Sequence, residues 1–556
     1  MSEIRPVDSA FSPPSRRTLL RAAGVTAGAV AVGLHATGAQ AATPVPATAG
    51  HAPQDAAAAT AAAAPAVADP DRQLRGEWIA TVANTDWPSR TGLSPADQQA
   101  EFVALLDKAA ALGLNAVFAQ VRPCADAFWP SRFEPWSQYL TGVQGQDPGY
   151  DPLAFMVEAA HARGLALHAW FNPYRISLQD DVDLLVPDHP ARLHPDWVVS
   201  YGGQLYYNPG VPSARAFVED AILDAVERYE IDGVHFDDYF YPYPVGTTPF
   251  PDDAAFAAYA DGFTDLAAWR RNNVDLLVSE MQTRIRAVRP EAVFGISPFG
   301  IWRNASTDPR GSATAGTESY DALSADTLGW VQKGWLDYIA PQLYWNIGLA
   351  VADYAVLAPW WAGAVNGTGV QLWIGQAVYK VGAAGQPAAW QDPAELSRHL
   401  TLDAGLPQID GEILYSSAEV NADVIGGVST MVADHWQNPA LSPVLPRLAD
   451  GIRPLPPLVS AAPSAAPASG GQVHLEIGSR DGRAPALYAV RLRSRGAGGQ
   501  GGTDTLVAVL PGARQASWSG AAAPEGFVHE VTAVDRANRE STPVTVRVGR
   551  PGSRRG

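Results

Sequence analysis

A single cysteine, Cys124, stands in a chain of 556 residues. No intrachain disulfide and no multi-cysteine zinc site can form, so packing must hold the protein together. Basic side chains are scarce as well: 39 against 57 acidic ones, a formal charge of −18. Such a surface repels a phosphate backbone and lacks the electropositive footprint of a nucleic-acid binder. Between residues 74 and 436 there is neither a G-x-S-x-G elbow nor a glycine loop of the kind that cradles phosphate. What remains is 47% hydrophobic, 17% charged and 9% aromatic, the make-up of a globular chain with a large core and room for more than one domain.

The N-terminus reads as an address. Ser15-Arg16-Arg17-Thr18-Leu19-Leu20-Arg21 is followed by a mildly apolar run from Ala22 to Leu34 and by Ala39-Gln40-Ala41. That order is basic region, apolar region and A-x-A cleavage site, with the paired arginines of a twin-arginine signal. The run is shorter than the ~20 residues of a membrane span. A twin-arginine signal peptide over 1–41 is expected, hence export to the cell envelope or beyond and no membrane span in the mature chain. Residues 42–70, rich in Ala, Thr and Pro, offer too little apolar surface to offset ordering entropy and read as a disordered leader.

From 71 to 440, short β-branched or aromatic runs alternate with longer amphipathic stretches, the pattern of βα units on a parallel sheet. Eight runs occur: 74–82, 115–123, 166–175, 233–241, 293–300, 337–346, 371–379 and 411–418. Between the first two, Ser94-Pro95 reads as a cap and first-position proline for a helix whose inner face is Phe102, Leu105, Leu106 and Ala109. The count predicts an α/β fold, a (β/α)8 TIM barrel working at its C-terminal mouth. A proline-rich linker is expected over 441–468. Short alternating strands over 469–549 predict a small β-sandwich of fibronectin type III-like kind, serving as wall anchor or spacer, and 550–556 a disordered tail.

The segment Asp232-Gly-Val-His-Phe-Asp-Asp-Tyr-Phe-Tyr-Pro242 carries the most chemistry. On a strand alternate residues share a face, so Val234 and Phe236 point outward while His235, Asp237 and Tyr239 point into the barrel, Asp237 near the mouth. Asp238 follows where the strand ends. Adjacent carboxyls in an enclosed cleft have their pKa values pushed apart, leaving one ionised and one protonated. Glycoside hydrolysis needs that division of labour. Asp237 and Asp238 are therefore the first catalytic candidates. Glu134, in a loop of aromatic residues after the second run, is the other candidate acid, with Asp86 and Asp126 as further acidic residues at the mouth.

Seventeen Trp, 18 Tyr and 16 Phe exceed the apparent needs of the core, and many lie at strand ends. Flat rings over sugar faces with polar side chains between them make a saccharide cleft. Trp87, Tyr174, Tyr239, Tyr241, Tyr344, Trp345 and Tyr379 are the candidate platforms. Arg122, Asp126, Asn172, Arg175, His235, Gln342 and Gln376 are the candidate hydroxyl partners. A metal-dependent amidohydrolase calls for His-x-His on the first strand, where RGEWIATV has none, and His168, His235 and Asp237 lack that anchor. No metal and no cofactor are expected, and Cys124 reads as a small buried residue.

Seven motifs in order carry a family likeness: LRGEWIATVANTDWPS (74–89), QVRPCADAFWPSRFEPWSQYLTG (120–142), HAWFNPYR (168–175), DGVHFDDYFYP (232–242), WRRNNVDLLV (269–278), FGISPFGIWRN (294–304) and DYIAPQLYWN (337–346). The barrel region resembles the bacterial glycosyl hydrolase-like 10 family, which includes an enzyme digesting denuded peptidoglycan strands. The resemblance implies a TIM barrel, hydrolysis of a glycosidic bond and a cell-envelope glycan as substrate. The fourth-strand motif is also similar to the D-G-x-D-x-D-x-E signature of chitinase-like barrels, but His235 replaces the second Asp and Tyr239 the Glu. The acid is then expected at Asp238 or Glu134. Two functions remain in view: an exported glycoside hydrolase acting on N-acetylhexosamine-containing wall glycan, and a wall protein that binds such a glycan without cutting it.

Overall fold

Seven of the eight apolar runs contain a strand, and the eighth, 411–418, overlaps one that begins at Ile409. The computed structural model describes residues 71–463, 472–494 and 504–546; the expected signal peptide, the leader and the tail lie outside them. The strands are β1 (Leu74–Ile79), β2 (Ala116–Arg122), β3 (Ala166–Phe171), β4 (Gly233–Phe236), β5 (Val293–Ile296), β6 (Tyr338–Ile339), β7 (Gln371–Gln376) and β8 (Ile409–Leu414). They pair in chain order, all parallel, and β8 returns to β1 with Gly411 beside Leu74, which closes the barrel. The helix after β1, Pro95–Ala111, begins as its sequence dictates: Ser94 Oγ accepts from the Asp97 amide at 3.2 Å and proline takes the first turn. Its Phe102, Leu106 and Ala109 are buried, while Leu105 sits half-buried at the edge of that face.

The barrel is filled with rings. Phe118 lies at the centre, 4.5 Å from His168 and 5.1 Å from His235 between ring centroids, with Trp78, Tyr338 and Trp373 around it. Three strand glycines make this packing possible. A Cβ at Gly76 would meet Phe118 at 2.7 Å, at Gly233 the His168 ring at 2.4 Å, and at Gly295 the Tyr338 ring at 2.3 Å. Val234 and Phe236 point the other way, into the layer between strands and helices, as the alternation of β4 requires.

After the barrel come β9 (Leu458–Pro463), β10 (Gln472–Gly478), β11 (Leu487–Ser494), β12 (Asp504–Pro511), β13 (Gln515–Ala521), β14 (Phe527–Val534) and β15 (Val544–Val546). They form two antiparallel sheets, β9-β10-β13 and β12-β11-β14-β15. Val473, Leu475 and Ile477 face Tyr488, Val490 and Val531 between them. This unit is bound to the N-terminal end of the barrel: Arg536 reaches Glu230 at 2.8 Å and Asp232 at 3.1 Å, and Arg72 reaches Glu540 at 2.5 Å. Of the stretch expected as a linker, residues 441–445 are packed and most of 446–456 is exposed, and its described part is tied down at several points. Leu441 bonds to Asp71 and Gln73 through its backbone, Arg447 pairs with Asp337 at 2.5 Å, and Leu458–Pro463 is already a strand. Proline suits such a segment because its fixed φ lowers the entropy lost when the chain is laid along a surface.

Candidate active site

β4 ends at Phe236, and the next two residues, Asp237 and Asp238, lie side by side at the C-terminal mouth, each about 5% exposed. Asp237 continues the inward face of His235. Its Oδ2 accepts from the Asn172 amide and from Trp170 Nε1 at 3.3 Å, and its Oδ1 from the Tyr239 backbone at 3.2 Å. Arg175 adds a guanidinium nearby, lying over the Tyr239 ring at 5.4 Å. Asp238 is served differently: Tyr243 donates its hydroxyl to Oδ2 and Gln342 its amide to Oδ1 at 3.2 Å.

Burial raises both carboxyls above the usual range. Asp238 is also raised by the charge of Asp237 and reaches about 7. Asp237 is pulled back by Arg175 and by its amide and indole donors. The pair therefore takes up one negative charge readily and a second only at higher pH, with the first charge centred on Asp237.

A line of side chains sets this geometry. The Thr81 and Val82 amides donate to Gln120 Oε1 at 2.9 and 2.8 Å, Gln120 Nε2 donates to Asn172 Oδ1 at 2.5 Å, and Asn172 donates to Asp237. Strand ends β1 to β4 are thus linked across the mouth. Half-buried rings line the mouth: Tyr344 lies 5.8 Å from Tyr379 and 6.1 Å from Tyr415, and Tyr239 lies 5.6 Å from Tyr243 beside the pair. Trp345 packs edge-on to Phe299 at 5.4 Å. The Lys380 amine donates to the Tyr344 carbonyl at 2.6 Å on this wall.

Of the residues singled out from the sequence, Asp237, Asp238, Asn172, Arg175, Tyr239, Gln342, Tyr344, Trp345 and Tyr379 meet at or just under the mouth. The others do not. Glu134 is a correction: both its oxygens are taken by Arg122, at 2.7 and 2.5 Å, with both side chains fully buried, so neither oxygen is left to reach a leaving group. Arg122 gives its other terminal nitrogen to the Asn172 and Pro173 carbonyls and is fully buried, out of reach of a sugar in the mouth. Asp126 accepts from the Cys124 amide at 3.0 Å beneath the same loop, and burial pushes its carboxyl up to about 6.

Trp87 is fully enclosed between Phe102 and Phe128, its indole bonded to the Gln98 carbonyl. Tyr174 is buried in the outer core, and Tyr241 lies under Arg270, 5.6 Å from the ring. His235 does point inward, but it stays in the barrel lumen. Trp78 Nε1 donates to its Nε2 at 3.0 Å, its Nδ1 lies 2.9 Å from the Tyr338 hydroxyl, and burial holds it neutral. Gln376 faces outward to Tyr354, Glu412 and His399. Asp86 clasps two strand ends, accepting from Ala80, Ser416 and Ala418, and burial raises it to about 7.

The sequence reading passed over Gln120, Trp170, Tyr243 and Tyr415. Only Gln120 carried a signal, as a polar residue in the middle of the otherwise apolar stretch AVFAQV. Among the described residues no cluster of three or more His, Cys, Asp or Glu side chains is placed to hold a metal ion, and no helix is long and apolar enough to cross a membrane. A cavity of about 550 Å³ lies at the other end of the barrel, between its base and the sandwich, away from the carboxyl pair.

A carboxyl pair at the mouth of a closed eight-stranded barrel, walled by tyrosines, is the frame in which the comparisons with known proteins fall. The family model described as glycosyl hydrolase-like 10 matches residues 73–392. The chain belongs to that family. This glycosyl hydrolase-like 10 protein is 51% identical over 381 residues to the glycosyl hydrolase YngK of Bacillus subtilis, covering 68% of this chain and 74% of that one. It is 40% identical over 383 residues to the glycosyl hydrolase DigH of Escherichia coli, covering 65% and 87%. Among solved structures, the glycoside hydrolase domain of PgaB from Bordetella bronchiseptica aligns with TM-score 0.44 and 14% identity, covering 66% of this chain and all of that one. The chain is a glycoside hydrolase.

Proposed function

We propose that this enzyme is exported by the twin-arginine route and hydrolyses N-acetylhexosamine-containing cell-wall glycan, with peptide-stripped peptidoglycan strands as substrate. The observation that carries the reading is the adjacent pair Asp237 and Asp238 in one tyrosine-walled mouth, with burial and the neighbouring charge raising Asp238 to about 7. A carboxyl so raised is still substantially protonated at neutral pH and hands its proton to the departing glycosidic oxygen. Asp237, with Asn172, Trp170 and Arg175 favouring its anion, faces the positive charge that grows on the sugar ring as that bond lengthens.

Tyr239, Tyr344 and Tyr379 offer faces to neighbouring sugar units. The seven C-terminal strands, three in one sheet and four in the other, support a fibronectin type III-like module that holds the barrel near the wall by its base and leaves the mouth free.

The test is incubation of the mature protein, with Asp237→Asn and Asp238→Asn beside it, with amidase-stripped glycan strands. New reducing ends and shorter fragments by mass spectrometry are expected from wild type, falling by several powers of ten in each variant with the fold retained. Near-full activity in Asp237→Asn, or no fragments from wild type, overturns the proposal.

A further inference from the structure

The chain holds only three lysines. Lys108 is exposed on a helix, and Lys333 pairs with Asp275 at 3.3 Å with nearly half its side chain in solvent. Lys380 differs from both. It follows β7 at the mouth, is half-buried, and gives one hydrogen to the Tyr344 carbonyl at 2.6 Å while lying 5.7 Å from the Tyr379 ring. Burial lowers its amine to about 8. Among the described residues no carboxylate pairs with it, although acidic side chains outnumber basic ones by 57 to 39.

A cation taken partly out of water without a counter-ion destabilises the fold unless something else receives it. Its position says what. Tyr344, whose carbonyl holds the amine, has its hydroxyl within the electrostatic reach of Asp238 and Asp237. The amine and the carboxyl pair therefore share Tyr344 as a neighbour, one at its carbonyl and the other on the side of its hydroxyl.

We propose that the Lys380 ammonium receives a carboxylate carried by the sugar unit next to the scissile bond, so that the enzyme selects acidic glycan over neutral glycan. The inference rests on the hydrolase reading of the mouth and narrows its substrate. In a peptide-stripped strand the lactyl group of N-acetylmuramic acid ends in a free carboxylate; with a stem peptide attached the same carbon is an uncharged amide. Lys380 thus reads the removal of the peptide. It also offsets, at that contact, the repulsion between an anionic strand and an acidic protein.

The test uses glycan fragments from amidase-stripped peptidoglycan, as free acids and after carbodiimide coupling of the lactyl groups to methylamine. Binding is measured by calorimetry in the Asp238→Asn background, with and without Lys380→Gln, and cleavage by the otherwise native enzyme. The free acid is expected to bind on the order of tenfold tighter than the amide, the usual worth of a charged hydrogen bond. Lys380→Gln should erase that preference and leave the amide affinity unchanged, whereas a merely structural role lowers both. Equal binding of acid and amide, a preference that survives Lys380→Gln, or no binding of either form overturns the proposal. Equal cleavage of both forms leaves the hydrolase reading intact while removing this one. Preferential binding without new reducing ends does the reverse.

Discussion

Asn172 gives its side-chain amide to Asp237 and takes the amide of Gln120 in return, at 2.5 Å. One residue from the end of β3 thereby orients the carboxylate at the end of β4 through a partner on β2. The orientation is built into the barrel before any substrate arrives, and this pre-organisation is where such a site obtains its rate.

Replacing Asn172 by Ala should lower kcat/KM on the order of 10- to 100-fold, the loss expected when a hydrogen bond to a charged group is removed. Circular dichroism should stay unchanged. Steady-state kinetics on stripped glycan strands reads the effect, and a variant as active as wild type would show that Asp237 needs no such guide.

The pH profile follows from Asp238. In the proposed mechanism the acid form is the working form, and with the carboxyl at about 7 activity should fall as pH rises through neutrality. The Tyr243 hydroxyl lowers Asp238 by donating to its anion. Tyr243→Phe should therefore move the alkaline limb to higher pH. A limb that stays in place, or moves down, contradicts the assignment of Asp238 as the acid.

Glu134→Gln discriminates structure from catalysis. It leaves the Arg122 guanidinium buried without its counter-ion, a loss of about 3–5 kcal/mol for a broken buried pair. A clear drop in melting temperature is expected, with the turnover of the folded fraction largely kept. A catalytic acid would give the opposite: unchanged melting and lost turnover.

Behind β8, Asp403 accepts from Tyr354 at 2.5 Å, and burial raises it to about 7, above the ordinary carboxylate value it regains on unfolding. A raised carboxyl stabilises the native state fully below its unfolded value, and that stabilisation is lost as pH rises through the folded value. Wild type should therefore lose melting temperature between about pH 4 and 8 in part through this group, and Asp403→Asn should flatten the curve. An identical pH dependence in the two proteins, by scanning calorimetry, would count against it.

The barrel was legible because its strands announce themselves locally. Runs such as ALHAWF and QLWIGQ are apolar along their whole length, as strands covered on both faces must be, and the helices between them carry their own caps. The place of the carboxyl pair was legible for a related reason: two carboxyls directly after an apolar strand have to lie at its mouth end. Glu134 was not. A carboxyl among aromatic residues looks the same in sequence whether it faces a cleft or an arginine, and Arg122, twelve positions back, becomes its partner only when the loop folds over the end of β2. Trp87, Tyr174 and Tyr241 are ambiguous in the same way, since a ring after a strand end is a platform or a core residue according to which helix covers it.

The alternation of residues along β4 determined by itself that His235 and Asp237 share an inward face, because backbone geometry alternates side chains whatever surrounds them. Depth along that face was decided only by the tertiary structure. His235 is sealed among Trp78, Phe118 and Tyr338 from three other strands, and Asp237, two residues further on, clears the last ring and meets Asn172. Burial and hydrogen-bond partners come from residues distant in sequence, and these same contacts determine which carboxyl keeps its proton.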